Sequence, residues 1–290
     1  MLKNTFPKNI SKSLILTACI TSGVVLLSSA NATIVSIKTS ISDQAIEVNL
    51  FDSTTPATVA NFLTYVNDGA YTSSIIHRAP ADFVIQGGGF TFNGNWPLEA
   101  LATNANVINE PVYSNVAGTI AMAKQANDKN SATNQWFFNL TDNSTNLDRQ
   151  NGGFTAFGQV INGIEVLQQI NTTKRCDSPV SGSPYTDIPV LFSDEQSCSD
   201  MITAGIENFI VIEQVTIIDS SEATDSDLNP ALTKFPDSDG DGVMDVDDAF
   251  PNDPSRYLAE PTETSSGGSM TWLALLTLPL MAIRRRFFNT

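Results

Sequence analysis

His77-Arg78-Ala79-Pro80-Ala81-Asp82-Phe83-Val84-Ile85-Gln86-Gly87-Gly88-Gly89 sets an always-charged guanidinium ahead of an apolar run, an amide and three glycines. Phe83-Val84-Ile85 reads as a short strand, and Gly87 to Gly89 supply a tight turn or a close backbone approach. If Phe83 and Ile85 share one face of that strand, Val84 and Gln86 share the other. Arg78 precedes a proline-containing kink, which aims its side chain at a surface rather than along a ladder. A guanidinium beside a Phe-lined hollow, with an amide for a backbone carbonyl, suits a small apolar residue together with its peptide bond.

Further blocks lie downstream: Gly118-Thr-Ile-Ala-Met-Ala-Lys124, then Asn130-Ser-Ala-Thr-Asn-Gln-Trp-Phe-Phe-Asn139, then Asn146-Leu-Asp leading to Phe154-Thr-Ala-Phe-Gly-Gln-Val160. In this order, over roughly residues 33–219, they resemble the cyclophilin-type peptidyl-prolyl isomerases and their HRxxxxFxxQGG signature. The spacing is closest to the periplasmic bacterial branch. The resemblance implies a mainly β fold, a closed eight-stranded antiparallel barrel capped by two helices, followed by a disordered or calcium-ordered tail. It also implies an enzyme that turns X–Pro bonds between cis and trans, uses no cofactor for catalysis, and assists the folding of exported proteins.

The same resemblance assigns roles. Arg78 would donate a hydrogen bond to the prolyl nitrogen. Phe83, Val84, Phe137 and Leu147 would line the proline pocket, with Val84 where the family often has Met. Gln86 would bond the substrate backbone, Ala123 would pair with its extended main chain, and Gln135 would support Arg78 and Gln86 from behind. Lys124 stands where Asn is frequent, Asn146 where the family carries Trp or Phe, and Phe154 where others have His or Tyr. Loss of the indole implies weak cyclosporin binding. His77, the sole histidine, is read as structural. A rival reading is a non-catalytic surface module that captures proline-containing peptides. A third is a calcium-dependent surface or matrix protein whose barrel is only a scaffold.

Composition narrows the setting. The 290 residues carry a formal charge of −16. Residues 1–32 and 270–290 hold six of the fifteen basic residues and no acid, so the remainder has nine basic against 31 acidic residues, a net −22. Such a body repels nucleic acid and anionic membrane. Monomer is the default oligomeric state. Met1–Lys12 is a basic n-region, Leu14–Leu27 is largely apolar and Ala30-Asn31-Ala32 fits a cleavage site, so residues 1–32 read as a signal peptide for a signal peptidase. A lipoprotein box at Leu16-Thr-Ala-Cys19 is the alternative. At the other end a glycine-containing linker (257–269) precedes an apolar run from Met270 to Ile283 and then Arg284-Arg-Arg286. Residues 270–290 resemble a GlyGly-CTERM sorting or transmembrane segment, cut by a rhomboid-type protease; a retained anchor is the alternative. Fourteen residues would span about 21 Å as a helix, short of a ~30 Å hydrocarbon core. Either way the body is exported, to the periplasm, the cell surface or the medium.

Within the body, Thr33–Thr39 and Ala45–Phe51 alternate into a hairpin. Thr54 or Thr55 caps a helix with Pro56 in its first turn, apolar at Val59, Phe62, Leu63 and Val66, stopped by Asn67-Asp-Gly69. Val116–Ala123, Gln135–Leu140, Ala156–Val160 and Phe209–Ile218 read as strands, Gly163–Ile170 as a short helix, and Phe92–Asn109 as loop. These elements permit several all-β or α+β folds, and the barrel comes from the resemblance alone. Cys176 and Cys198, the cysteines that remain after cleavage at Ala32, bracket a Pro- and Ser-rich insert. In an oxidising compartment they read as a disulfide; two free thiols are the alternative.

After Ser220 a polar linker (220–236) leads to Asp237-Ser-Asp-Gly-Asp-Gly-Val-Met-Asp-Val-Asp-Asp248. Asp237, Asp239, Asp241, Asp245 and Asp248 take loop positions 1, 3, 5, 9 and 12 of a Ca²⁺ loop, with the Val243 carbonyl at position 7 and Gly242 at the sharp turn. The loop ends in Asp rather than Glu and no flanking helix is evident. With the residues to 256 it is more similar to a thrombospondin type 3-like calcium repeat than to an EF-hand. The expected ion is structural.

Overall fold

The structure, a computed structural model, describes residues 33–220, 228–241, 243–245 and 248–257. The chain divides into two compact units, residues 1–236 and 237–290. The segments read as signal peptide and sorting tail lie outside the described residues. Among the described residues no helix is long and apolar enough to cross a membrane.

In the first unit β1 (Ile34–Thr39) and β2 (Ile46–Leu50) form the expected antiparallel hairpin, with Val35 opposite Val48. Val35, Ile37, Ile46 and Val48 are buried, as the alternation requires. Further strands are β3 (Val84–Gly87), β4 (Phe90–Thr91), β5 (Glu99–Ala100), β6 (Thr119–Met122), β7 (Trp136–Asn139), β8 (Ala156–Asn162), β9 (Lys174–Cys176), β10 (Ile188–Val190) and β11 (Ile212–Asp219). Seven of them make one curled antiparallel sheet in the order β11-β1-β2-β8-β6-β7-β3. The segment Ser74–Arg78 touches both end strands or their extensions. Ile212 N–H donates to Ser74 O (2.7 Å), Ile76 N–H to Ile210 O (2.9 Å) and Gln86 N–H to Arg78 O (2.8 Å).

The helices are α1 (Pro56–Asn67), α2 (Ser144–Leu147) and α3 (Ile164–Thr172). α1 and α3 are the two expected from sequence, and α2 is a single extra turn. Thr55 is the N-cap of α1, yet its hydroxyl donates to Phe51 O and caps nothing. The free amides at this helix start are instead met by a distant carboxylate. Glu110 accepts from Ala57 N–H (3.2 Å), Thr58 N–H (2.9 Å) and Thr58 Oγ1 (2.8 Å). A negative group there also complements the helix dipole. Gly69, at φ +66, ends the helix in the left-handed conformation glycine adopts without strain.

The pleat sorts the sheet's side chains into two sets. Ile120, Met122, Trp136, Phe138 and Phe157 enter the main core with Phe62 and Val66 of α1 and Leu167 and Ile170 of α3. Ala121, Phe137 and Ala156 lie one residue out of phase and meet Val84 and Leu147 in a separate cluster. Phe83 departs from expectation. Asp82 turns the chain at φ +53 and β3 begins only at Val84, so Phe83 packs with Val84's cluster while Ile85 enters the core.

Residues 174–209 build a smaller second core with the β4–β5 region, joining Cys176, Ile188, Val190, Met201 and Phe209 to Phe92 and Leu98. The Cys176–Cys198 disulfide closes it, with S–S 2.01 Å. The end of the expected linker lies on the first unit. Ser114 N–H donates to Ala231 O (2.8 Å), and the Arg149 guanidinium sits 5.1 Å from the Phe235 ring centroid.

Candidate active site

The signature stretch doubles back on itself. Arg78 and Gln86 are antiparallel bridge partners, with His77 N–H donating to Gln86 O (3.1 Å) and Gln86 N–H to Arg78 O (2.8 Å). A guanidinium and a carboxamide therefore leave the backbone side by side. The Gln86 Nε2 donates to Gln135 Oε1 (2.9 Å), which fixes the amide's orientation. The glycines after Gln86 are demanded by what faces them. A Cβ on Gly88, at φ +78, would stand 2.7 Å from Asn134 O, and one on Gly89 2.6 Å from the Gln135 side chain.

Arg78 and Gln86 open onto a cavity of about 330 Å³. Its apolar floor is Phe83, Val84, Phe137 and Leu147, with Ala123 at one side. These seven residues are the ones sequence reasoning placed together. Gln135, the eighth, is outside this cavity. It lines an adjacent hollow of about 220 Å³ that shares Gln86, Ala123 and Lys124. The N–H of Ala123 is already bonded to Gln135 O (2.9 Å), so pairing with a peptide would run through its carbonyl. Arg78 Cζ lies 6.0 Å from the Phe83 ring centroid, at the outer range of a cation–π contact.

The remaining wall holds Phe154, Asn146, Gln150 and Lys124. Phe154 meets Phe137 edge to face, with centroids 5.8 Å apart. Asn146 is exposed and its Oδ1 accepts from Gln150 Nε2, so an amide pair occupies that rim. Gln150 was not singled out in sequence; it sits in a polar turn with no periodic signal. Lys124 Nζ donates to Asn151 O (2.8 Å) and Gly153 O (2.6 Å) and lies 4.8 Å from the Phe154 centroid. Burial, reinforced by the Lys129 charge and partly offset by Asp128, lowers the Lys124 pKa to about 7.

His77 is absent from the described lining. It is buried edge-on against Phe90, centroids 4.8 Å apart, and burial lowers its pKa to about 4. The described lining holds no serine, cysteine, histidine or carboxylate. Such a cavity can enclose an apolar ring, accept hydrogen bonds from a peptide group and donate them to it, and present the always-charged Arg78. Lys124, the other basic group of the lining, is engaged by the Asn151 and Gly153 carbonyls.

In the second unit, carboxylate oxygens of Asp237, Asp239 and Asp241 all lie within 4.8 Å of one another. Asp239 and Asp241 each spend one oxygen on a loop amide, of Asp241 and Val243 respectively, and Asp248 does the same with Phe250 N–H. The second oxygen of each of these three is buried without a hydrogen-bond partner. Asp245 accepts from both Ser238 N–H (2.7 Å) and Ser238 Oγ (2.6 Å); neither it nor Asp248 is among the three carboxylates that lie within 4.8 Å of one another.

The family model "Cyclophilin type peptidyl-prolyl cis-trans isomerase/CLD" matches residues 34–191. A peptidyl-prolyl cis-trans isomerase of Acinetobacter baylyi is 39% identical over 151 residues, covering 50% of this chain and 77% of that protein. Peptidyl-prolyl cis-trans isomerase A of Dickeya dadantii is 38% identical over 148 residues, covering 50% and 73%. The solved structure of a Cryptosporidium parvum cyclophilin type isomerase aligns over 66% of this chain and 99% of its own, at 21% identity and a TM-score of 0.45. The chain belongs to the cyclophilin-type peptidyl-prolyl cis-trans isomerases.

Proposed function

We propose that this isomerase turns X–Pro bonds by an arginine-assisted rotation, with Arg78 as the hydrogen-bond donor. Amide resonance opposes rotation by ~18–20 kcal/mol. Twisting the bond localises a lone pair on the prolyl nitrogen, so a donor aimed there favours the twisted state over either planar one. The observation that carries this reading is the bridge pairing of Arg78 with Gln86 on the rim of an apolar cavity. The proline ring would occupy the floor of Phe83, Val84, Phe137 and Leu147 while Gln86 holds the peptide group. The test is cis/trans exchange in an Ala-Pro peptide with the full chain and with Arg78→Ala. A drop of roughly 10²-fold or more in kcat/KM matches one lost transition-state hydrogen bond. Peptide binding with exchange no faster than buffer would leave the non-catalytic binding module instead.

The wider setting belongs to the same proposal. The basic, apolar and Ala-x-Ala elements of residues 1–32, the Gly-Gly-containing tail and the Cys176–Cys198 disulfide support export, with polypeptides folding outside the cytoplasm as clients. Signal peptidase and a rhomboid-type protease would process the two ends. The bonds from Ser74–Arg78 to both ends of the sheet support closure into the eight-stranded barrel. Residues 237–256 would hold one structural Ca²⁺. The carboxylates of Asp237, Asp239 and Asp241 lie within 4.8 Å of one another, and Asp239 and Asp241 each keep a buried oxygen without a hydrogen-bond partner; this suits a divalent cation, with Asp245, Asp248 and the Val243 carbonyl as the further ligands of the loop.

A further inference from the structure

The disulfide-closed insert contacts the main fold at the residue after Arg78. Ala79 N–H donates to Asp187 O (2.8 Å), and Ala79 O accepts from Arg175 Nε. Both backbone groups of Ala79 are thus satisfied by residues that flank or belong to the insert. Arg175 lies on β9, which is paired to β10 through Ile188↔Cys176 and Val190↔Lys174. The disulfide starts at the next residue, Cys176.

The rest of the Arg175 fork reaches the other end of the same loop. Its Nη2 donates to Asn171 O and to Asn171 Oδ1 (3.0 Å). Asn171 Oδ1 in turn accepts from Asp82 N–H (3.1 Å), and Asn171 Nδ2 donates to Asp82 Oδ1 (2.8 Å). Asp82 is the residue at φ +53 that turns the chain into Phe83. One guanidinium therefore ties together the two ends of the loop that separates Arg78 from Phe83. On the other side of Arg78, the His77 ring rests edge-on against Phe90, and Phe90 edge-on against Tyr185 of the insert, both at 4.8 Å.

We propose that Arg175 is a positioning residue for the isomerase reaction, holding the Ala79–Asp82 loop so that Arg78 meets the substrate at a fixed place. The inference rests on Arg78 being the donor. Arg175 itself lines neither hollow of the site, so it acts through the backbone. Its rigid fork is what the task requires. A lysine ammonium could reach Ala79 O or Asn171, yet would not hold both in one plane. Misplacement of a reacting group by about 1 Å costs up to 10²-fold in rate, and retention of the Asp187 bond limits the loss here to about tenfold.

The test compares the full-length protein with Arg175→Met, Arg175→Lys, Arg78→Ala and Arg78→Ala/Arg175→Met, by cis/trans exchange and by residue-resolved amide exchange. Arg175→Met should lower kcat/KM about tenfold, Arg175→Lys should not restore it, and adding Arg175→Met to Arg78→Ala should cost nothing further. The Ala79 amide should exchange at least about tenfold faster in Arg175→Met, with Ile120 in the central sheet unchanged. An equal loss in both Arg78 backgrounds would make Arg175 merely structural and overturn the proposal, as would unchanged Ala79 exchange. A wild type without isomerase activity would sink the function proposed above, and the Ala79 amide would still decide whether Arg175 holds the loop. Should Arg175→Met fail to fold, Asn171→Ala cuts the Asp82 end alone and must reproduce the kinetic loss.

Discussion

His77 ties acid stability to the geometry of the signature stretch. It is the sole histidine and is 4% exposed. Burial, partly offset by hydrogen bonding to the Ile75 backbone and the Gln135 side chain and aided by the Arg78 charge, brings its pKa to about 4 from 6.5. A folded-state pKa below the unfolded one means that the unfolded chain binds more protons between pH 6.5 and 4. The neutral ring is accommodated at pH 7, and stability is lost as pH falls through that window. The two pKa values give a loss of about 2 kcal/mol between pH 7 and pH 5. The assay is urea unfolding of the wild type and His77→Gln at pH 7, 6 and 5 and constant ionic strength. The substitution lowers stability at every pH by disturbing a packed site, so the diagnostic quantity is the slope against pH. Carboxylate titrations are common to both proteins and cancel in the difference. The wild-type curve should close on the variant's by about 2 kcal/mol over that range. Curves that stay parallel would refute the assignment of a buried, neutral imidazole.

Glu110→Gln removes the charge that meets the Ala57 and Thr58 amides and should destabilise the fold by about 1 kcal/mol, read as a shift in urea midpoint at constant m. Lys124 has a folded pKa of about 7 against 10.5, so the unfolded chain binds more protons above pH 7 and this group makes stability rise with pH from there. Lys124→Met should lack that rise between pH 7 and 9, and identical slopes would discard the burial of the ammonium. Breaking the disulfide by Cys176→Ser with Cys198→Ser should cost about 3 kcal/mol by loop entropy, checked by thermal unfolding under non-reducing conditions. Ca²⁺ should slow proteolysis within residues 237–256 relative to EDTA, with Asp241→Asn abolishing the difference; equal cleavage rates would remove the ion from the account.

Legibility in the sequence followed the range of the interactions involved. The β1–β2 hairpin and α1 rest on period-two and helical patterns confined to a few neighbouring residues, and both stand within a residue or two of where the pattern put them. The cavity residues Arg78, Phe83, Val84, Gln86, Ala123, Phe137 and Leu147 were legible from three blocks at once, because their joint spacing is far rarer than any single block. What the sequence hid was long-range partnership. Glu110 caps a helix 52 residues earlier, which no local rule exposes, and Thr55 carries the right chemistry while bonding Phe51 instead. Phe83 falls outside β3 because one left-handed residue, Asp82, resets the pleat. Ser238 bonds both oxygens of Asp245, seven residues later, a pairing the ligand spacing does not reveal.

The strict alternation along β6 and β7 has a consequence for how this protein fails. Ile120, Met122, Trp136 and Phe138 fill the interior, while Ala121 and Phe137, their immediate neighbours, join the cluster beneath the cavity. A slip of one residue in either strand would exchange the two sets. Trp136 would be driven to the surface, and the cavity floor would be drawn inside. No compact chain in the wrong register retains a usable cavity, so misfolded molecules are silent rather than promiscuous. Specific activity per mole of soluble protein therefore counts correctly paired strands.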